Sequence, residues 1–567
     1  MTTYMTSAEA LIKCLEIEKI NHVFCVPGES YLPVLDGLFE HPSIELISGR
    51  HEGGVSFMAE GYAKATGKPG IVFATRGVGA GNLSIGVHTA YQDSTPMVVF
   101  LGQVHSKFRG REGFQEVDLD QFFAPIAKWT VEIRDAERTP ELVQRALRVA
   151  QSGRPGPVVV SLPEDVLKEK ADMVFAKKFE KSRPLADPSL IENCLSLLEK
   201  AKKPVILAGG GIKSSGAEAD LTAFAEKMDL PVLSAFRRHD VIANHNGHYA
   251  GHLGLGAFNC VLETVKQADV ILAIGTRLSE VTTQDYSIIS PHQKLIHIDI
   301  SDQTVGRNFP AEIAVVADAK MALQQLLDSA HEKELSPEQT TWRKDRRNAY
   351  VLASSLSPVL EQDHENGCNL KNIFHIIQKL MPENTIITND AGNFAGWLHS
   401  FYQFKEPKTY IGPTSGAMGY GMPAALGAKL ADPERHVVSF SGDGGFMMTI
   451  QELETAARYN IPIIAIVFNN GMYGTIRMHQ EKNYPHRVVG TSLGQVNFNK
   501  IAEAVNIESY HISNTIQFED VLNQLLSGQI EQPVLIEVLM DPEQISVSAT
   551  IDSIREKAQA KNQSAKI

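Results

Sequence analysis

A chain of 567 residues exceeds one domain of ordinary size and points to about three. Its 43% hydrophobic and 21% charged residues exclude disorder, collagen and coiled coil, and 53 basic against 66 acidic residues, net −13, oppose nucleic-acid binding. Five cysteines, odd in number and without CxxC spacing, indicate neither a disulfide framework nor a zinc site, so a reducing compartment fits best.

The opening MTTYMTSAEALIKCLEIEK has no basic-then-apolar signal pattern, and IPIIAIVF (461–468) is too short to span a bilayer, which predicts a soluble cytoplasmic protein with no membrane partner. Short β-branched runs follow, each closed by Gly, Pro, Asn or Asp and succeeded by a helix-length stretch: HVFCVPG, IELISG, GIVFATRG, PMVVFLG and GPVVVSLP. The rhythm restarts with PVILAGGG, ADVILAIG and KLIHIDI, and again with TIITND, HVVSFSGD, IPIIAIVFNN and PVLIEVLM. Runs that are apolar throughout are strands covered on both faces, so the reading is α/β, with three doubly wound parallel-sheet domains. Charged stretches at 168–188 and about 336–368 serve as connectors, giving domains at 1–180, 186–340 and 365–550. The tail REKAQAKNQSAKI reads as a frayed helix.

The most informative stretch is HVVSFSGDGGFMMTIQELETAARYNIPIIAIVFNNGMYG. A strand ends at Ser441, Gly442-Asp443-Gly444-Gly445 makes a turn, and MTIQELETAARY reads as the following helix. The glycines let the backbone approach a ligand, and a helix N-terminus favours an anion. Asp443 beside a phosphate needs a cation between them, and Mg²⁺ takes oxygen ligands of this kind. Asn470, ending the next strand, places a neutral oxygen at the same carboxyl edge. Either piece alone is a helix cap or a turn; the two together point to a metal and phosphate site.

This combination resembles the thiamine-diphosphate-dependent enzymes, and within them the acetolactate synthases. The resemblance runs from residue 5 to about 545 and implies a pyrimidine-binding domain, a central Rossmann-like domain and a diphosphate-binding domain. It implies Mg²⁺ held by the side chains of Asp443 and Asn470 and the carbonyl of Met472, with Gly444 and Gly445 giving N–H groups to the diphosphate. SGRHEGGVSFMAEGYAK resembles the block that carries the activating acid, and Glu52 is the match. Such a carboxylate must be buried to share a proton with the cofactor's aminopyrimidine ring. In IGPTSGAMGYG, Met418 matches the residue that wedges between the cofactor's rings and Gly416 the carbonyl acceptor for its amino group. NDAGNFAGW matches the loop that meets the diphosphate through Gly392 and Asn393. Phe114 and Gln115, in GREGFQEVDLDQF, match pocket residues above the reacting carbon.

The implied activity is decarboxylation of a 2-oxo acid such as pyruvate, followed by carboligation to a second carbonyl. The alternatives are a flavin-linked oxidase or a non-ligating decarboxylase, and then an inactive cofactor-binding protein. Because Glu52 and Asp443 lie in different domains, the family pattern implies a homodimer or a dimer of dimers; a regulatory subunit has no signature in the sequence. FAD is a possible second cofactor, because PVILAGGG and GHLGLGAF only partly resemble the flavin segments. The chain departs from the family where Val78 replaces a usual Pro, Val281 an acceptor-holding Arg, His479 a Trp, and Glu164 a Lys. Arg477, Arg487 and His479 could form another anion-binding set.

Overall fold

The computed structural model describes residues 3–331, 336–357 and 359–564. Three six-stranded sheets, parallel throughout, account for the repeated rhythm. In the first, the spatial order is Glu45–Ser48, His22–Cys25, Gly70–Ala74, Met97–Gln103, Pro157–Pro163, Trp129–Glu132. The second runs Tyr249–His252, Val232–Ser234, Pro204–Ala208, Val270–Ile274, Lys294–Asp299, Ile313–Val316. The third runs Tyr410–Ile411, Ile386–Asn389, Val437–Gly442, Ile464–Asn469, Val534–Leu539, Glu508–Ile512. Counted in chain order, the first and third share the arrangement 2-1-3-4-6-5, and the middle sheet is 3-2-1-4-5-6. Their central strands are buried on both faces, as in Met97–Gln103 and Pro157–Pro163, because helices cover each side. Thr3–Thr6 pairs antiparallel with Lys170–Met173 and ties the chain's start to the end of the first unit.

Three local expectations need correction. The stretch from 336, read as a connector, opens with the helix Pro337–Ser354. Gln339 donates to the carbonyls of Leu198 and Ala201 (3.1 and 2.7 Å), Trp342 to that of Pro204 (2.9 Å) and Arg347 to that of Tyr249 (2.8 Å). The anchoring face is narrow, and the charge on the opposite face hid its period. The helix expected over MTIQELETAARY starts late: Asp443–Phe446 forms one turn before it, the chain bends, and the helix runs only over Glu452–Arg458. The Thr449 hydroxyl, bonded to the Gly419 carbonyl at 2.7 Å, holds the bend. The tail forms the helix Ile551–Ser564, whose Arg555 donates to both oxygens of buried Glu481 at 2.8 Å. An ion pair thus seats a helix whose composition suggested fraying.

The first and third units meet through two helices, Glu52–Thr66 and Gly421–Ala431. Gly61 lies against the main chain at Ala424 and Gly427 against the main chain at Met58, and a Cβ at either position would overlap those atoms. Beside this seam all three units share one ionic group. Asp93, its side chain fully buried, accepts from Arg238 of the middle unit (2.9 Å) and from the Thr414 N–H of the third (3.1 Å), and pairs with Lys64 (3.1 Å). Lys64 also pairs with buried Glu60 at 2.9 Å, and Glu60 accepts from the Tyr420 hydroxyl. Burial opposes ionisation of Asp93, but Lys64 and Arg238 prevail and hold its pKa below the ordinary Asp value. Its stabilising contribution is therefore present at neutral pH and is lost only as pH falls through that lowered pKa.

Removing one member of such a group leaves the others charged and buried. Asp93→Asn should destabilise the chain by about 3–5 kcal/mol, read from denaturant or thermal unfolding. An unchanged midpoint would mean that Lys64 and Arg238 find other partners.

Candidate active site

At the carboxyl edge of the third sheet, the segments after Ile386–Asn389, Val437–Gly442 and Ile464–Asn469 converge, because these strands are parallel neighbours around the switch in strand order. Asp443 opens the short helix, is 7% exposed, and burial pushes its carboxyl up to about 6 against the pull of the Gly444 and Gly471 N–H groups. A buried carboxylate so raised is short of positive charge. Asn470 follows the adjacent strand; its Oδ1 accepts from the Met472 N–H at 3.2 Å. Residues 471–473 pair with 491–493 as a short ribbon, Tyr473 N–H to Thr491 carbonyl and Leu493 N–H to Gly471 carbonyl, both 2.9 Å, which fixes the Met472 main chain. A Cβ at Gly444 would stand 2.6 Å from the Tyr473 ring, and one at Gly445 2.5 Å from the Asp390 carboxylate. The turn therefore admits only glycine, and its backbone stays bare.

Gly416 sits in the left-handed region (φ +71°) in the loop before Gly421, and Met418 is half-buried two residues on. That loop is fastened to the neighbouring one by the Ala391 N–H donating to the Ala417 carbonyl at 3.2 Å. Gly392 and Asn393 follow, but the Asn393 amide is committed: it donates to the Ile545 carbonyl (2.7 Å) and accepts from Thr475 (2.8 Å).

The first sheet's carboxyl edge carries the other expected residues. Glu52 is the first residue of its helix and 8% exposed, and its carboxylate accepts from Asn82 at 2.9 Å. Gly79 makes room for it, since a Cβ there would stand 3.0 Å from Oε1. Phe114 is 72% exposed and lies 6.0 Å from the Arg76 guanidinium; Gln115 adopts φ +62° in the same loop. Glu164, the departure from a Lys, pairs with Arg76 at 3.3 Å, as Glu29 does at 3.2 Å. Within the described residues of one chain, no hydrogen bond or ion pair joins Glu52 to Asp443, Asn470, Gly416 or Met418.

The middle sheet has its own switch point, where Gly209–Gly211 and Gly275–Arg277 end adjacent strands. A cavity of about 640 Å³ opens there, lined by Arg154, Arg238, Arg277, Arg307 and Asp299, with Val281 on its wall. Burial pushes Asp299 up to about 6 and Arg277 down to about 10. The suggested anion set does not assemble as a free group: Arg477 is bonded to Glu481 at 2.9 Å, whereas His479 and Arg487 are exposed. Sequence reasoning missed Asn82, Asp390 and Glu452. Asp390 is fully buried, with Oδ2 unpartnered beside Gly445 and its carboxyl raised by burial to about 6. Its place directly before Ala391-Gly392-Asn393, at a strand end, was the available signal.

Three domain families match the chain, one in each sheet's region: thiamine pyrophosphate enzyme, N-terminal TPP binding domain, over residues 5–122; the central domain over 191–326; and the C-terminal TPP binding domain over 390–538. The probable acetolactate synthase large subunit of Methanocaldococcus jannaschii is 33% identical over 552 residues, 95% of this chain and 92% of its own. Acetolactate synthase isozyme 3 large subunit of Escherichia coli is 31% identical over 552 residues, 95% of each chain, and the large subunit from Lactococcus lactis 32% identical over 544 residues, 94% of this chain and 92% of its own. With all three thiamine pyrophosphate enzyme domains matched and nearly the full length aligned to these relatives, the chain belongs to the thiamine pyrophosphate enzymes, in the family of the acetolactate synthase large subunits.

Proposed function

We propose that this protein is a thiamine-diphosphate-dependent carboligase of the acetolactate synthase type, which releases CO₂ from pyruvate and joins the remaining two-carbon unit to a second carbonyl compound. The observation that carries this reading is the buried Glu52, seated at a helix start with Asn82 on its carboxylate, in a chain that also keeps the Asp443 and Asn470 edge. A protein that only bound the cofactor would need the second feature and not the first.

The residues suit the cofactor. The raised, electron-rich Asp443 carboxylate, the Asn470 side-chain oxygen and the Met472 carbonyl are hard oxygen donors of the kind Mg²⁺ takes, and we assign them to it. The bare backbone of Gly444 and Gly445 suits the diphosphate, as does that of Gly392 and Asn393, since the Asn393 side chain is already engaged. Thiamine diphosphate supplies, when bound, a carbon nucleophile for a 2-oxo acid's carbonyl and a sink for the electrons left when CO₂ departs. Glu52 would share a proton with the pyrimidine ring, and its buried place at the helix start, with Asn82 on its carboxylate, would fix the direction of that contact. Gly416 and Met418 would orient that ring. Phe114 and Gln115 are assigned to the acceptor side of the pocket.

Among the described residues no hydrogen bond or ion pair joins Glu52 to Asp443, which fits a homodimer, or a dimer of dimers, with each site shared between subunits. The exposed Val78 and Ile85 on the Gly77–Asp93 helix, and Met447 and Met448 beside Asp443, are apolar surfaces suited to that contact. The division at 1–180, 186–340 and 365–550 stands as our proposal for the domains. All five cysteines are free thiols, which suits a cytoplasmic location, and no helix among the described residues is long and apolar enough to cross a membrane.

FAD is the second cofactor we propose, in the middle cavity, where Arg154, Arg277 and Arg307 would face its phosphates and Asp299 a ribose hydroxyl. A Cβ at Gly211 would stand 2.5 Å from Gly275, so the two turns that flank the cavity meet backbone to backbone. Titration with FAD, followed by flavin fluorescence, should show saturable binding that Arg277→Ala weakens about tenfold or more; no binding would remove FAD from the account.

Two measurements bear on the reaction. Asp443→Ala should lose Mg²⁺-dependent binding of thiamine diphosphate in a calorimetric titration, and unchanged affinity would place the metal elsewhere. With Val281 in place of an Arg and Arg477 tied to Glu481, a second 2-oxo acid lacks a charged anchor worth about 1.5–3 kcal/mol, roughly tenfold or more in selectivity. Offered pyruvate and acetaldehyde at equal concentration, the enzyme should release CO₂ and form substantial acetoin beside acetolactate. Absence of CO₂ release would defeat the reaction assigned; nearly pure acetolactate would defeat only the acceptor argument.

A further inference from the structure

The segment Ser48–His51 leaves the strand Glu45–Ser48 and delivers the chain to Glu52, so its course decides where the Glu52 carboxylate points. Three of its four backbone N–H groups are taken by residues of the third unit. Ser48 donates to the Tyr459 hydroxyl (2.9 Å), Arg50 to both oxygens of Glu452 (3.2 Å each) and His51 to Glu452 Oε1 (3.0 Å); Gly49 alone bonds within its own sheet, to the Cys25 carbonyl at 2.8 Å. Arg458 closes the same segment from outside, donating to the Ser48 carbonyl at 2.6 Å.

Glu452 has no contact with water, and its remaining acceptor capacity is met by the Thr455 hydroxyl at 2.6 Å. The surroundings are shaped to it. A Cβ at Gly49 would stand 2.9 Å from its carboxylate and one at Gly54 would overlap it, so the segment before Glu52 and the first turn after it both lack side chains where the carboxylate lies. A charge is worth burying here because its partners are main-chain donors that no other group satisfies. The His51 ring then accepts from the Gly53 N–H at 3.0 Å and caps the helix. The contacts that reach this segment from the third unit are those of Glu452, Tyr459 and Arg458, which come from about 400 residues away in sequence.

We infer that Glu452 is a positioning residue for the proton-holding Glu52: its carboxylate clamps the Arg50 and His51 main chain and so sets the direction in which the Glu52 side chain leaves the helix. The inference rests on the role proposed above for Glu52. Glu452 opens the helix that directly follows the Asp443 turn, so the unit that offers the metal ligands also braces the acid of the first sheet.

The test is the rate of H/D exchange at C2 of thiamine diphosphate bound with Mg²⁺, measured beside the affinity for the cofactor. Glu452→Gln keeps the shape, yet it turns an N–H donor toward the main-chain donors, and should slow exchange by about tenfold to a hundredfold, the scale of a small misplacement of a catalytic group. Cofactor affinity should stay within about threefold, because Glu452 touches none of the residues assigned to the diphosphate or the metal. Glu452→Asp, which retains the charge, should recover part of the rate. Thr455→Val, which removes one donor and leaves the clamp, should slow exchange by a few-fold and serves if Glu452→Gln does not fold. Exchange at the wild-type rate in Glu452→Gln or, failing that variant, in Thr455→Val, or rate and affinity falling in proportion, would overturn the inference. Glu52→Gln is measured alongside: slow exchange there with fast exchange in Glu452→Gln defeats this inference alone, whereas fast exchange in Glu52→Gln defeats the role of Glu52 itself.

Discussion

The arrangement of this molecule depends on a carboxylate that water cannot reach. Asp93 is ionised in the interior only because a lysine of its own unit, an arginine of the middle unit and a main-chain N–H of the third unit all point at it. A buried ionic group of this type contributes little net stability over an apolar packing of equal volume, but it makes any other docking expensive, since a shifted unit would strand a charge. Three separate sheets are thereby brought together in one relative placement, and the loops at their carboxyl edges inherit it.

The helix seam beside that group has the same character by different means. Gly61 and Gly427 allow two helices to approach until main chain meets main chain, a distance that any larger residue would forbid. Close approach brings the Glu52–Thr66 helix under the control of the third unit, first through Glu60, Lys64 and Tyr420 in its body and then through Glu452 and Tyr459 at its start. The acid that would activate the cofactor therefore sits on an element held at both places by residues outside its own sheet. Rigidity at Glu52 is a property of the interface and not of the local helix.

Around the residues assigned to the acceptor side, charge is answered within the protein. Arg76 is enclosed by Glu29 and Glu164, and Arg477 by Glu481, so two arginines near the assigned residues have their charge answered within the protein. Glu481 also receives Arg555 and thereby seats the last helix, which makes Arg477 part of a structural clasp. The middle cavity presents a different case: Arg238 is answered by Asp93, whereas Arg154 and Arg277 donate to neutral oxygens, of Ser94 and Tyr91 and of Gln92, and keep their charge without a carboxylate partner among those bonds. Charge that is paired within the protein favours a neutral partner and charge that is not favours an anion, and this contrast separates the two regions.

Composition and pattern alone determined a good deal. The α/β class, the three repeats of the strand rhythm and the placement of Asp443 and Asn470 at one edge were legible because each depends on consecutive residues: an apolar run, a glycine turn, a following helix. Glu52, Gly416 and Met418 stand out only through resemblance, since a glutamate at a helix start or a methionine in a loop has no distinctive local chemistry. What the tertiary structure decided is everything that joins distant positions. Glu452 reads in sequence as one more solvated residue of a helix, and becomes a buried clamp because residues 50 and 51 fold against it. Asn82 gains meaning from Glu52, Arg238 from Asp93, and Arg555 from Glu481. The break after Phe446 and the seating of the Pro337–Ser354 and Ile551–Ser564 helices were likewise beyond local reading. Periodicity reports which face of a segment is apolar; it carries no information about which remote donor will satisfy a particular buried acceptor, and that matching is settled only when the chain is folded.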